Sequence, residues 1–365
     1  MTSTYGDNFS KDFPLISQYT YANTAASGLM YESLMEWRQG HDIDFLIGGS
    51  KFRESLDVQL AEIRTAVANF FDSEFENTLL TPNFSFALKV FINGIDKDKS
   101  VLLLEDDYPS VNWPFSSSGF KSVSFAEVNQ HLEQNIKEAF AKQQPDIFAF
   151  SIVQYLNGIK LDLNFIKDLK KEYPDTIFVA DGTQYSGTEK FSFKESGIDV
   201  FGGSGYKWML SGYGNGYMLF NKEIVSQLYP VSVEFEPQKE AFQKGKNHLM
   251  CHFEPGHIDT LNFGSLLYSI EQFNEIGMDA IEAHLASLAK HAKEKFTGLE
   301  LLSETVTERK EHSTIFNLKV TPKIMEALKE RNVLFSLRGS GIRVSFHIYN
   351  TIKDIDKIAN ILKHK

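Results

Sequence analysis

The chain has 365 residues, 42% of them apolar and 13% aromatic, which is material for one large and one smaller domain. Its 37 basic residues stand against 48 acidic ones, and a net charge of -11 leaves no basic footprint for a nucleic-acid backbone. No membrane-spanning apolar run and no signal-peptide pattern is present, and the single cysteine, Cys251, forbids an internal disulfide or a cysteine metal cluster, so a cytoplasmic protein is expected.

Residues 1–13 are polar and read as loose or extended. Tyr19 to Gly28 is a short strand-like piece followed by small residues, which suits either a close backbone approach to a ligand or chain, or a plain turn. Apolar Phe52, Leu56, Leu60, Ile63, Val67 and Phe70 recur at three- and four-residue spacings and predict an amphipathic helix from Lys51 to Phe71. Thr78 to Thr81 reads as a strand, Pro82 to Phe86 as a turn, and Ala87 to Ile92 as a helix. A strand–turn–helix unit of this kind offers free backbone N–H groups to an anion.

Strands are then predicted at Val101–Leu104, Ser122–Phe125, Ile147–Val153, Thr176–Ala180 and Ile198–Phe201. Helices are predicted at Glu127–Lys142 and Leu161–Tyr173, the second ended by Pro174. Alternating β and α elements with near-continuous apolar strands predict a mostly parallel sheet covered on both faces. Residues 230–257 lack periodicity and read as an excursion at an active site or interface. Phe263 to about Phe296 reads as one helix or two with a kink at Gly277. The remainder alternates strand and helix in a compact α+β pattern, with Thr351 and Asp354 set as a capping box.

The chemistry concentrates between Val179 and Phe220. Asp181 closes one predicted strand, and the next runs into Gly202-Gly-Ser-Gly-Tyr-Lys207. Both groups then lie at the carboxyl edge of the sheet, where α/β folds bind ligands. Taken singly, Lys207 is a solvated strand-end lysine and Asp181 a turn former. Together they are the acid and the Schiff-base amine that pyridoxal 5′-phosphate (PLP) needs from a protein. The glycines Gly212, Gly214 and Gly216 follow the lysine and precede a strand, the wrong context for a dinucleotide fingerprint.

The run Asp181-Gly-Thr-Gln184, then Ser204-Gly-Tyr-Lys207 after the Ile198-Asp-Val-Phe strand, then the Gly-rich return, resembles the class V aminotransferase family of fold type I PLP enzymes. That family includes cysteine desulfurases, selenocysteine lyases, isopenicillin N epimerase-like proteins and several transaminases, and the likeness extends over nearly the whole chain. It implies a three-layer αβα large domain with a mostly parallel sheet over residues 31–260. An N-terminal segment, 1–30, would contribute to the active site, and residues 261–365 would form a linking helix and a smaller α+β C-terminal domain. Asp181 would pair with the pyridine nitrogen. Lys207 would carry the internal aldimine and move the Cα proton. Gln184 and Gln154 would stand beside the ring hydroxyl, and Ser204 would hold the phosphate with Ser85 and the Phe84 backbone N–H. Tyr108, in Glu105-Asp-Asp-Tyr-Pro-Ser110, takes the place of the family's ring-stacking histidine, and Tyr206 replaces the histidine often found before the lysine. His257, in Phe253-Glu-Pro-Gly-His257, would reach the phosphate of a neighbouring subunit in a homodimer. Arg343, in a segment that closely matches the family's Arg-x-Ser ending, would pair with a substrate carboxylate, and Asn23 would also contact it.

Cysteine desulfurases carry a nucleophilic cysteine shortly before that arginine, whereas Asn332 to Gly341 has none. The expectation is therefore an aminotransferase passing an amino group between an amino acid or amine and a keto acid. A PLP lyase or epimerase is the alternative. A non-catalytic scaffold would have no need of Asp181, Lys207 and Arg343 together.

Overall fold

The computed structural model describes residue 9 and residues 11–233 and 246–363; the rest of the N-terminal tail and residues 234–245 of the aperiodic stretch lie outside the described residues. The strands run β1 (Thr20–Tyr21), β2 (Thr78–Thr81), β3 (Ser100–Leu104), β4 (Ser122–Ala126), β5 (Ile147–Ser151), β6 (Ile177–Asp181), β7 (Val200–Ser204) and β8 (Gly216–Phe220). The later ones are β9 (Ile315–Leu318), β10 (Val333–Leu334), β11 (Ser336–Arg338) and β12 (Gly341–Ser345).

Seven strands form the main sheet in the order β2-β8-β7-β6-β5-β3-β4. The ladders joining β3 to β7 and β4 are parallel, and β8 runs antiparallel to both β7 and β2. Side chains alternate between two cores, as a period of two requires. Leu102, Leu104, Phe148, Phe150, Phe178 and Ala180 face one core, while Val101, Leu103, Ile147, Ala149, Ile177 and Val179 face the other. Helices Leu56–Phe71, Leu132–Lys142, Leu163–Glu172 and Thr260–Ile276 cover the first face; Phe84–Gly94, Pro109–Ser117 and His248–Phe253 cover the second. This is the three-layer αβα arrangement read from the sequence, with both faces of the strands buried.

The C-terminal part adds a three-stranded antiparallel sheet, β11-β12-β9. Helices Met278–Gly298, Pro322–Glu330 and Ile352–Leu362 pack against it through Leu288, Phe296, Leu328 and Ile358. The capping box of Thr351 and Asp354 forms. Where the periodicity left one helix or two, the chain makes two that meet at Gly277, with φ at 88°. The helix predicted from Lys51 is interrupted at Ser55, giving Ser50–Glu54 and Leu56–Phe71. Within the alternating remainder, β10 and β11 are separate strands because the chain changes partner between them. Val333 and Leu334 pair with β1, and Ser336 onward pairs with β12.

Two features fasten the frame around the sheet edge. The N-terminal segment is stitched to the C-terminal part, with Ala25 N–H donating to Ser345 Oγ at 2.8 Å and Asn350 Nδ2 to the Tyr21 carbonyl at 2.9 Å. On the far side, the Arg64 guanidinium forks onto both oxygens of Glu254 at 2.7 Å and also donates to the Thr78 carbonyl, while Leu80 N–H donates to the same carboxylate. Both side chains are almost fully buried. Arg64→Ala would leave the Glu254 charge buried without its partner, and the expected loss in a urea unfolding titration is about 3–5 kcal/mol.

Candidate active site

β6 and β7 end side by side in a parallel ladder, with Asp181 registered against Gly202. The chain then passes from Ser204 through Gly205 and Tyr206 to Lys207, and folds back at Leu210, whose N–H donates to the Lys207 carbonyl. Leu210 is in the left-handed region with φ at 55°, a strained conformation for a residue with a side chain. The N-terminal segment crosses this turn closely. Gly28 N–H donates to the Tyr206 carbonyl, and a Cβ on Gly28 would fall 2.1 Å from the Lys207 carbonyl oxygen, so only glycine fits. The early small-residue run makes a turn at Asn23–Ala26, with Ala26 N–H donating to the Asn23 carbonyl, and its close approach at Gly28 is to another stretch of the same chain.

A cavity of about 560 Å³ opens at this edge. Its wall includes Phe84, Ser85, Tyr108, Asp181, Gln184, Ser204, Tyr206 and Lys207, candidates drawn from four separate stretches of sequence. Asp181 and Lys207 are the charged residues in that wall, and they are 6% and 5% exposed. Burial pushes the Asp181 carboxyl upward; the hydrogen bond from Thr183 N–H at 2.8 Å opposes this, and the nearby Asp107 charge adds to it. Burial pushes the Lys207 amine downward; Asp181 resists, and the Arg343 and Arg338 guanidiniums reinforce the shift. The Lys207 Nζ lies 5.3 Å from the centre of the Tyr108 ring and 5.5 Å from that of Tyr206.

The anion-binding end is built at the start of helix Phe84–Gly94. Asn83 caps it by accepting from Phe86 N–H, and Ser204 Oγ accepts from Phe84 N–H at 2.9 Å. The Phe84 amide expected to face a phosphate is thus already engaged by Ser204. The Ser85 amide has no protein partner among the described residues, and its hydroxyl donates to Ser110 Oγ at 2.7 Å. An unpaired amide, two hydroxyls and the positive end of the helix dipole fit a phosphate group.

Other candidates fall elsewhere. Gln184 reaches the wall, yet its amide is largely committed. It donates to the Ala25 carbonyl at 3.0 Å and accepts from Trp208 Nε1 at 2.6 Å. Gln154 is not in the wall, which is formed by its neighbours Val153 and Tyr155; it is buried beside Asp107, with no hydrogen bond to its Nε2. Asn23 accepts from Ser336 Oγ at 2.6 Å and does not line the cavity. His257 lies by Arg53 in a separate cavity of about 750 Å³.

Arg343, on β12, is 2% exposed and is not itself among the residues that line the cavity. Its Nη1 donates to the carbonyl of wall residue Tyr155 at 2.7 Å, and its Nε has no partner. Among the described residues, the arginines that pair with a carboxylate are Arg64 and Arg309. Burial, then the Arg338 charge, pushes Arg343 down to about 10. A buried guanidinium without an acid is costly, and an anionic ligand would relieve that cost.

Sequence reading missed Asp107, Tyr155, Tyr213 and Arg338. Asp107 is buried and accepts from Tyr108 N–H at 2.6 Å and Ser151 N–H at 2.7 Å, which pins the Tyr108 turn to the end of β5. Tyr213 stacks on Tyr206 with ring centres 4.8 Å apart. The Asp106-Asp107 doublet before Tyr108 was visible as a turn signal, and Asp106 does take a positive φ of 52°.

An amine whose pKa burial lowers, close to a buried carboxylate and with an anion-ready helix terminus, fits an enzyme that holds an aldehyde-bearing, phosphorylated ring. A sequence model of the aminotransferase class-V family matches residues 47–358. The chain belongs to this family of PLP-dependent enzymes. A probable cysteine desulfurase of Pyrococcus abyssi is 22% identical over 97% of this chain and 96% of its own length. The uncharacterized aminotransferase YcbU of Bacillus subtilis is 21% identical over 97% of each chain. Among solved structures, the apo cysteine desulfurase of Thermococcus onnurineus shares the fold with a TM-score of 0.86 at 17% identity, over 100% of this chain and 98% of that one. The cystine C–S lyase C-DES, solved with its product cysteine persulfide, gives 0.82 at 16% identity over 96% of this chain and 98% of its own.

Proposed function

We propose that the chain is an aminotransferase that takes an α-amino acid, holds it by its carboxylate on Arg343, and transfers its amino group through PLP carried on Lys207. When bound, PLP supplies an aldehyde that condenses with amines and a ring that accepts the electron pair released at Cα. The protein groups then divide the work. Lys207, kept low in pKa by burial, holds the cofactor and afterwards carries a proton at Cα. Asp181 sets a negative charge opposite a ring nitrogen, and Tyr108 lies over Lys207 where a ring can be covered. Ser204, Ser85 and the Ser85 amide would take the phosphate, with Tyr206 alongside, and Gln184 would have one amide proton left to offer the ring hydroxyl.

The observation that carries this reading is Arg343, buried, bonded to the carbonyl of wall residue Tyr155, and without a carboxylate partner among the described residues. Transamination is favoured over forming a persulfide on an enzyme cysteine because the chain's one cysteine, Cys251, is exposed on helix His248–Phe253 and is not in the cavity wall. The amino acid leaves as its keto acid and a second keto acid takes the amino group, so no external oxidant is needed. A lyase or epimerase starting from the same bound amino acid is the alternative.

We also infer a cytoplasmic homodimer. Helix Glu32–Gly48 exposes Leu46 at 82% and Ile47 at 77%, with Phe45 and Ile43 beside them, an apolar face that a second copy would cover. Such a dimer would let His257 approach the neighbouring subunit's phosphate. The test is a screen of amino acids against the PLP-loaded enzyme without a keto acid. Stoichiometric conversion of the cofactor to its amine form supports transamination, whereas catalytic release of pyruvate, ammonia or sulfide would replace it with the lyase.

A further inference from the structure

We propose that Arg338 is a specificity-determining residue and that the preferred substrates are short amino acids with a second, side-chain carboxylate. This rests on the reading of Arg343 given above, and it follows from the hairpin both arginines share.

β11 and β12 pair antiparallel with Ser336 opposite Arg343 and Arg338 opposite Gly341. Residues two apart on a strand share a face, so Arg338 and Ser336 project to the same side, and Arg343, opposite Ser336, projects there too. Arg338 is thus the diagonal cross-strand neighbour of Arg343, a separation that long side chains span. That side is the cavity side. Arg343 reaches the Tyr155 carbonyl in the wall, and Ser336 donates to Asn23 on the N-terminal segment that crosses the Lys207 turn. The hairpin is held in place there, with Gly339 packed against Leu156 and Asn317 Nδ2 donating to the Arg338 carbonyl at 2.9 Å.

The Arg338 side chain is exposed and makes one hydrogen bond, to the neighbouring Leu337 carbonyl. No carboxylate pairs with it among the described residues, in a chain whose acids outnumber its bases by 11 (48 against 37). The glycine across the ladder places no side chain over it. Its charge, after burial, pushes the Arg343 pKa down and adds a smaller downward push on Lys207, so the two guanidiniums oppose each other's charge. One carboxylate would neutralise Arg343 and leave Arg338 unmatched. A substrate with an α-carboxylate and a second carboxylate a few bonds away matches both, with the buried arginine taking the first and the exposed one reading the second.

The test begins with binding, using acids that carry no amino group. The PLP-treated protein is titrated by calorimetry with succinate and with butyrate, which share a four-carbon chain and differ in one carboxylate. Succinate is expected to bind about 10- to 100-fold more tightly, the range for a charge-assisted hydrogen bond. Arg338→Gln should erase that preference, and the ratio of kcat/KM for aspartate to that for alanine should fall by the same factor, through KM. Equal binding of succinate and butyrate by the wild type would overturn the proposal, as would an Arg338→Gln variant that keeps the aspartate preference. Failure of the underlying reading looks different: Arg343→Gln would then leave butyrate binding untouched. Because Arg338 is exposed, its variant should unfold at the wild-type urea midpoint, which separates lost recognition from lost structure.

Discussion

Lys207→Ala is expected to lower amino-group transfer by about 10⁴-fold, the upper end for a lost general acid–base group. The loss should fall on kcat, because Ser85, Ser204 and the helix terminus remain to hold the phosphate. Among the described residues no second amine lines the cavity to take over. Ammonia or methylamine added to the variant should restore part of the rate, which a merely structural lysine would not allow. The same burial gives a pH dependence. Attack on an aldehyde needs the neutral amine, and the Lys207 pKa is pushed below that of a solvated lysine by burial, with Arg343 and Arg338 adding to the shift. The rate at which cofactor-free protein captures PLP, followed by absorbance, should therefore rise with pH through a midpoint below the ordinary lysine value. A midpoint at or above that value would contradict the account.

Asp181→Asn is the second large effect. The carboxamide has nearly the same shape and can still accept from Thr183 N–H, so the substitution removes the charge and little else. The expected result is a kcat lower by about 10²–10³-fold with KM changed only a few-fold, as for loss of one preorganised electrostatic partner. Asp181→Glu keeps the charge and should recover part of the rate. If Asp181 served only to cap the Gly182–Ser186 turn, Asn would be nearly silent and Glu would be the damaging substitution.

The sheet was legible because its strands are buried on both faces. Near-continuous runs such as Ile147-Phe-Ala-Phe have few other homes, and the helices between them carry regular apolar stripes. Helix Glu32–Gly48 was not legible for the opposite reason. It buries Leu34 and exposes Ile43, Phe45, Leu46 and Ile47, so its apolar residues do not mark the side facing the core. In the site, Asp181 and Lys207 were suggested by their strand ends, because the parallel ladder that registers Asp181 with Gly202 is local in the chain, and their roles came from the resemblance. Ser85, Tyr108, Gln184, Ser204 and Tyr206 reach the same cavity. Gln154 illustrates the limit. The resemblance set it beside the ring hydroxyl, but the ladder of β5 stops at Ser151 and Val153 makes an isolated bridge with Lys160. Val153 and Tyr155 therefore face the cavity, and Gln154 does not. Arg338 was invisible for a related reason: an exposed arginine carries no signal until the register of β11 against β12 shows which side it shares.

The most direct measurement is to incubate the purified chain with PLP, reduce it with borohydride, and map the modified peptide by mass spectrometry. The account predicts one pyridoxyl phosphate per chain, on Lys207, and a visible absorption band that reduction bleaches. A protein that stays colourless, or a label spread over surface lysines such as Lys171 and Lys190 with Lys207 unmodified, would contradict it.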